Sequence, residues 1–178
     1  MNWREQLEIY EHNKDWKSAI KHLQKVIQNY QHDPEAYIRV IYLLLNILLE
    51  EDYPPEEHDT IENLLRHYFD ESRSKFSDNA EYLFFIGYFI SIAEWYFGQD
   101  DLSLADQMKE KAHSLEPENI LYEWSWRFSK SDPVAGYFAE QLIKNEDPKI
   151  GWLKTKGAPG AYILDVIDRT YQDYKQNF

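Results

Sequence analysis

The stretch Phe89–Pro117, FISIAEWYFGQDDLSLADQMKEKAHSLEP, decides the fold of this chain. Phe89, Ile92, Ala93, Tyr96 and Phe97 recur at the three-and-four spacing that places side chains on one helix face. Gly98 suits the left-handed conformation that ends a helix, because it has no Cβ to clash there. Asp100 or Asp101 can then open a second helix by accepting a hydrogen bond from one of its unpaired N–H groups. That second helix carries Leu102, Ala105, Met108, Ala112 and Leu115 on one face, and Pro117 cannot continue it. The stretch reads as two short helices folded back on each other.

The spacing of Phe89, Ile92-Ala93, Tyr96, Ala105, Ala112 and Pro117 resembles that of the tetratricopeptide repeat (TPR): a large residue, two positions, Leu-Gly, two positions, Tyr, then Ala, then Pro. Phe stands in place of Trp and Ala in place of Gly, and Lys109 occupies a position where the second helix usually carries an aromatic ring. The resemblance is strongest over residues 86–119 and partial over 2–34. There, Trp3, Leu7 and Tyr10 line one helix, Asn13-Lys14-Asp15 makes a turn, and Trp16, Ala19, Ile20, Leu23, Val26 and Ile27 line the next. Pro34 arrives about three residues late for the pattern, in a position that suits the first turn of another helix.

Outward from these two pairs the reading continues as helices. Residues 36–49, AYIRVIYLLLNILL, are apolar on nearly every side and predict a helix buried in the middle of a stack. Residues 50–59, EEDYPPEEHD, predict an acidic loop leading into a helix lined by Ile61, Leu64, Leu65, Tyr68 and Phe69. That helix should end in the polar run 71–77, and Asp78 with Glu81 has the spacing of a capping box for the next. Tyr122, Trp124, Trp126 and Phe128 mark an aromatic-rich helix, and Ser131-Asp132-Pro133 starts another. Residues 147–156 are ambiguous, with one helical turn around Ile150, Trp152 and Leu153. Residues 157–160, GAPG, predict a break. Ile163, Val166, Ile167, Thr170, Tyr171 and Tyr174 line a final amphipathic helix, the polar outer face of which suits a solenoid cap. The expectation is an all-α single domain over 1–178: seven or eight helices in antiparallel pairs, stacked as a short TPR-like α-solenoid with a C-terminal capping helix. Whether residues 35–77 and 118–156 keep true repeat geometry is left open.

Charge is distributed unevenly. The net charge is −13. Residues 31–124 hold 21 acidic and six basic side chains, while 1–30 and 125–178 are each +1. An acidic middle repels phosphate backbones and anionic membranes and attracts basic partners. The opening residues are charged and helical, with no basic-then-apolar leader, and the longest uncharged run, 82–93, is too short to cross a bilayer. A cytoplasmic protein is expected.

Chemistry is sparse. There are no cysteines, which excludes thiol catalysis and Cys-ligated zinc. The six histidines are scattered, and none forms the i, i+4 pair with Glu of a helical zinc site. His58 among Glu56, Glu57, Asp59 and Glu62 reads as part of a solvated acidic loop rather than a metal site. No Gly-rich phosphate loop or nucleophile elbow is present. The chain is therefore expected to be non-enzymatic and without cofactor or metal.

The expected function is protein binding. The resemblance implies a concave groove lined by the first helix of each pair. Ile90, Glu94 and Phe97 are expected to face it, as are Tyr42 and Asn46 one pair earlier. The acidic loop residues Glu50, Glu51, Asp52, Glu56, Glu57 and Asp59 are the other candidates for a basic protein partner. The sharpest version is an immunity protein that neutralises a bacterial nuclease toxin. An adaptor or chaperone in a larger assembly, and a helical domain holding a small molecule or acting as an enzyme, are the alternatives.

Overall fold

The computed structural model describes residues 2–177. Among them the chain forms ten α-helices and no strand. The helices are α1 (Trp3–His12), α2 (Trp16–Asn29), α3 (Pro34–Glu50), α4 (His58–Lys75), α5 (Ala80–Ile92), α6 (Ser103–Leu115), α7 (Ile120–Ser129), α8 (Val134–Lys144), α9 (Pro148–Lys154) and α10 (Gly157–Asn177). Single 3-10 turns occupy Pro55–Glu57 and Glu94–Phe97. No helix of the described residues is long and apolar enough to cross a membrane.

Short side chains start the helices. Asn2, Asp15, Asp33, Asn79, Asn119 and Asp147 each accept a hydrogen bond from a first-turn N–H, which satisfies a donor the helix cannot. Pro34 and Pro148 follow two of these caps, where a missing N–H costs nothing. The short connections fold successive helices back on each other, and α1/α2, α3/α4, α5/α6 and α7/α8 pack as pairs in a solenoid-like stack. One continuous apolar core runs from Leu7 in α1 to Ile167 in α10. Its middle is α3 and α5, both buried almost all round. Phe84, Phe85, Phe89 and Trp124 are fully buried, each contributing about 2–3 kcal/mol by removal from water.

Several sequence expectations are corrected. Ten helices form rather than seven or eight. The helix expected through Phe97 stops at Ile92. Ala93 takes an extended φ of −159°, the 3-10 turn follows, and Gly98 ends it with φ +68°. The end of α4 needs no correction: it falls at Lys75, inside the polar run 71–77 as expected, where Glu71 accepts a hydrogen bond from the Tyr37 hydroxyl (2.7 Å) and pairs with Lys75. The cap of α5 is Asn79, one residue beyond the expected Asp78. Asp78 instead pairs with Lys111 at 2.7 Å, and Glu81 pairs with Lys156 at 2.6 Å. Residues 157–160 are no loop: they form the first turn of α10, where Pro159 loses no needed N–H.

The final pair does more than cap the end of the stack. Besides α8, α10 packs on α3, so the segment α9–α10 turns back across the face that α3 and α5 share. Trp152 lies against Phe85 (ring centroids 5.9 Å apart), and Tyr162 against Tyr42 (6.3 Å). Arg39, 2% exposed amid the apolar middle of α3, donates to the Lys156 carbonyl at 2.5 Å and pairs with Glu11 of α1 at 3.5 Å. Lys156 Nζ in turn sits 3.1 Å from Glu35 and 2.6 Å from Glu81, and Arg4 holds Glu35 at 2.6 Å. Burial alone would raise the Glu35 carboxyl, but the hydrogen bonds from Arg4 and Lys156 outweigh it and hold it below the usual carboxylate range. Glu81, half-buried with only Lys156 to oppose the loss of water, is pushed up.

Candidate partner-binding face

The candidates expected to line a groove are placed in three different settings. Ile90 is 0% exposed and Phe97 is 3% exposed, so both are core residues that no partner can reach. The reason for Phe97 is the break at Ala93. The 3-10 turn rotates the ring under α4, where it meets Phe69 edge-on at 5.2 Å. Tyr42 does line the face shared by α3 and α5, but that face is already covered. Its ring lies between Phe89 (5.2 Å) and Tyr162, and burial pushes its hydroxyl up to about 12. Asn46 is half-buried one turn further along α3, and Glu94 is half-buried at the start of the 3-10 turn.

The same break that buries Phe97 throws its neighbours outward. Arg66 on α4 donates to the Trp95 carbonyl at 3.0 Å and holds the 3-10 turn against α4. Trp95 is left 53% exposed. Tyr96 lies beside it (5.7 Å between ring centroids) and reaches His58 at the start of α4 (6.1 Å). His58 stacks on Tyr53 at 6.0 Å and 17° between planes, and Nδ1 of His58 and the Tyr53 hydroxyl are hydrogen-bonded at 2.7 Å. Trp95, Tyr96, His58 and Tyr53 therefore form one row of rings, from the 3-10 turn to the acidic loop.

Carboxylates accompany this row along the chain. Glu51 and Glu57 reach back to the start of α2, pairing with Lys14 (2.9 Å) and Lys17 (3.0 Å). Glu50, Asp52, Glu56 and Asp59 are exposed, and none of them forms an ion pair among the described residues. Glu62, between His58 (3.6 Å) and Arg66 (2.8 Å), ties the ring row to α4. Between the loop and α2 lies a depression of about 260 Å³, floored by Trp16, Ile20, Ile47 and Ile61 and edged by Tyr53 and Pro54. The face thus combines the exposed Trp95 ring backed by half-buried Tyr96, His58 and Tyr53, carboxylates with no cation of their own among the described residues, and an apolar cup. A bound segment with Lys or Arg beside an apolar side chain would find a partner for each. Among the described residues no group of three or more His, Asp or Glu converges as metal ligands would.

Trp95, Tyr96 and Tyr53 were missed by periodicity. The available signal is the run of three rings at 95–97: three consecutive residues cannot share one helix face, so at least one must turn to solvent. No protein-family model matches this chain, and no curated protein or solved structure does so either.

Proposed function

We propose that this protein is a non-catalytic, TPR-type binding module that holds a basic partner protein on its outer face, on the ring row and acidic loop spanning residues 50–62 and 94–96. The observation that carries this reading is the seating of α9–α10 across α3 and α5. The inner face that such stacks offer to partners is occupied by the chain itself, which leaves Trp95 and the cation-free carboxylates Asp52, Glu56 and Asp59 as the exposed recognition surface. A surface of this kind gives fast, salt-sensitive association with a cationic protein. Within the class, an immunity protein covering the cationic active site of a nuclease toxin fits the charge best, and a cytoplasmic setting follows from it.

The test is affinity capture from the native source by the parent chain and by a variant carrying Asp52→Asn, Glu56→Gln, Asp59→Asn and Trp95→Ala, each eluted with salt. The expected result is one basic protein held by the parent, released at moderate salt and absent from the variant, with the circular dichroism of the two chains unchanged. Equal capture by both chains, or release indifferent to salt, overturns the reading. Assaying the captured protein for nuclease activity with and without the chain then decides between inhibition and scaffolding.

A further inference from the structure

A cleft of about 730 Å³ opens between α5, α6, the α7–α8 turn and α10, within the usual size range of small-molecule sites. Its floor holds a charge. Lys109 of α6 is 3% exposed, and its Nζ donates to Ser91 Oγ at 2.6 Å and lies 4.5 Å from the centroid of the Tyr88 ring. All three residues line the cleft. No carboxylate of the described residues pairs with Lys109. The nearest on its own helix, Asp106, is engaged with Lys130 at 3.7 Å. Burial, partly opposed by Asp106, lowers the Lys109 ammonium to about 8.

A buried ammonium without a counter-ion is costly, and one on the wall of an open cleft can be neutralised by what enters it. The remaining walls restrict that ligand. Ile92, Phe128, Pro133, Ala135 and Val166 are apolar, and the polar lining comes from Ser131, Tyr162 and Thr170, with Arg169 already paired to Asp165 at 2.6 Å, Asp132 already paired to Arg127 at 2.9 Å, and Asp173 on α10 adding a second carboxylate. A buried ammonium with no ion-pair partner among the described residues, set beside these apolar walls, matches one negative charge on an apolar body seated clear of Asp132 and Asp173. A phosphate dianion would need more donors than this floor supplies.

We propose that this cleft binds a small organic carboxylate with an apolar body, its carboxylate oxygens accepting hydrogen bonds from Lys109 Nζ in place of a protein counter-ion. The site shares no residue with the outer acidic face and does not depend on it. The test uses the full chain and calorimetric titration with 4-phenylbutyrate and octanoate, each against its primary amide, together with amide NMR shifts. The expected result is an acid bound about tenfold or more tighter than its amide, with shifts centred on Tyr88, Ser91 and Thr170. Lys109→Met should bind acid and amide alike. Thr170→Trp, which fills the cleft from the α10 side and leaves Lys109 in place, should bind neither. Acid and amide binding equally to the parent, no binding of either at millimolar concentration, or acid selectivity surviving in Lys109→Met each overturns the proposal.

Discussion

Arg39 donates a 2.5 Å hydrogen bond to the backbone carbonyl of Lys156, 117 residues further along the chain. An arginine in the middle of an apolar helix would be costly without partners. Here the guanidinium is the peg on which the α9–α10 turn hangs, with Glu11 on its other side. The Glu11 carboxyl is pushed up by burial, against the opposing pull of Arg39.

The turn that receives this peg has no room for a side chain. Gly157 takes φ +59°, and a Cβ there would stand 1.6 Å from Arg39 Nη1. Because Arg39 is pinned on both sides, it cannot move aside cheaply. Gly157→Ala should lower the unfolding free energy by about 2–4 kcal/mol, from left-handed backbone strain and displacement of the peg. Urea denaturation followed by tryptophan fluorescence measures this.

Glu35 should govern stability in acid. Its folded pKa lies below the ordinary glutamate value of 4.5, so its stabilisation is complete above that value and is lost as pH falls through the folded one. Glu35→Gln should cost about 2–4 kcal/mol at pH 7, because Lys156 and Arg4 lose a charged partner that is buried. Thermal melts of the variant should also fall less steeply than those of the parent below pH 4.5. The raised Glu81 contributes in the opposite sense, losing stability as pH rises through its folded value, and is present in both chains.

Adjacent rings should separate fold from recognition. Phe97→Ala opens a cavity against Phe69 and should cost about 3–5 kcal/mol. Trp95→Ala removes a ring that is half in solvent and should change stability by less than about 1 kcal/mol, while abolishing capture of the basic partner. Melting temperatures alongside the capture assay give both readouts.

Lys109 should be a net cost to the fold at neutral pH. Its folded pKa of about 8 lies below the ordinary lysine value of 10.5. The penalty is therefore complete below pH 8 and fades between about 8 and 10.5, as the unfolded chain also loses its proton. Lys109→Met should be as stable as the parent or more so at pH 7, by up to about 3 kcal/mol, less the lost bond to Ser91. The advantage should shrink steadily in melts taken up to pH 10. A variant less stable at pH 7 than at pH 10, relative to the parent, contradicts this.

The sequence made the helix pairs legible because their punctuation is local. Asp15, Pro34, Gly98 and Pro117 act through the backbone of their own neighbours, and each boundary fell within a few residues. The break at Ala93 left no such mark: Phe89, Ile92 and Tyr96 keep helical spacing through it, and the contacts that hold the 3-10 turn, Phe97 on Phe69 and Arg66 on the Trp95 carbonyl, are both made to α4, far away in sequence. Tyr42 was legible as a residue of the inner face. Its covering by Tyr162 was not, since two tyrosines 120 positions apart carry no common pattern. Lys109 was visible as an odd residue at a ring position, but its role follows from Tyr88, Ser91 and a cleft wall contributed by α10. Of the acidic loop, the charges were plain in sequence. The partition into Glu51 and Glu57, which clamp α2, and Asp52, Glu56 and Asp59, which do not, required the position of Lys14 and Lys17.

The return of α9–α10 across α3 and α5 also sets an order on assembly. During synthesis α3 and α5, the two most apolar helices, leave the ribosome well before residues 148–177 that cover their shared face. For that interval Phe85 and Tyr42 lack the Trp152 and Tyr162 rings that will lie on them, and the Arg39 guanidinium lacks the carbonyl it will hold. Domains rich in such long-range closures fold slowly and expose sticky intermediates. A nascent chain stalled near residue 145 should accordingly recruit general chaperones, and one released past α10 should not.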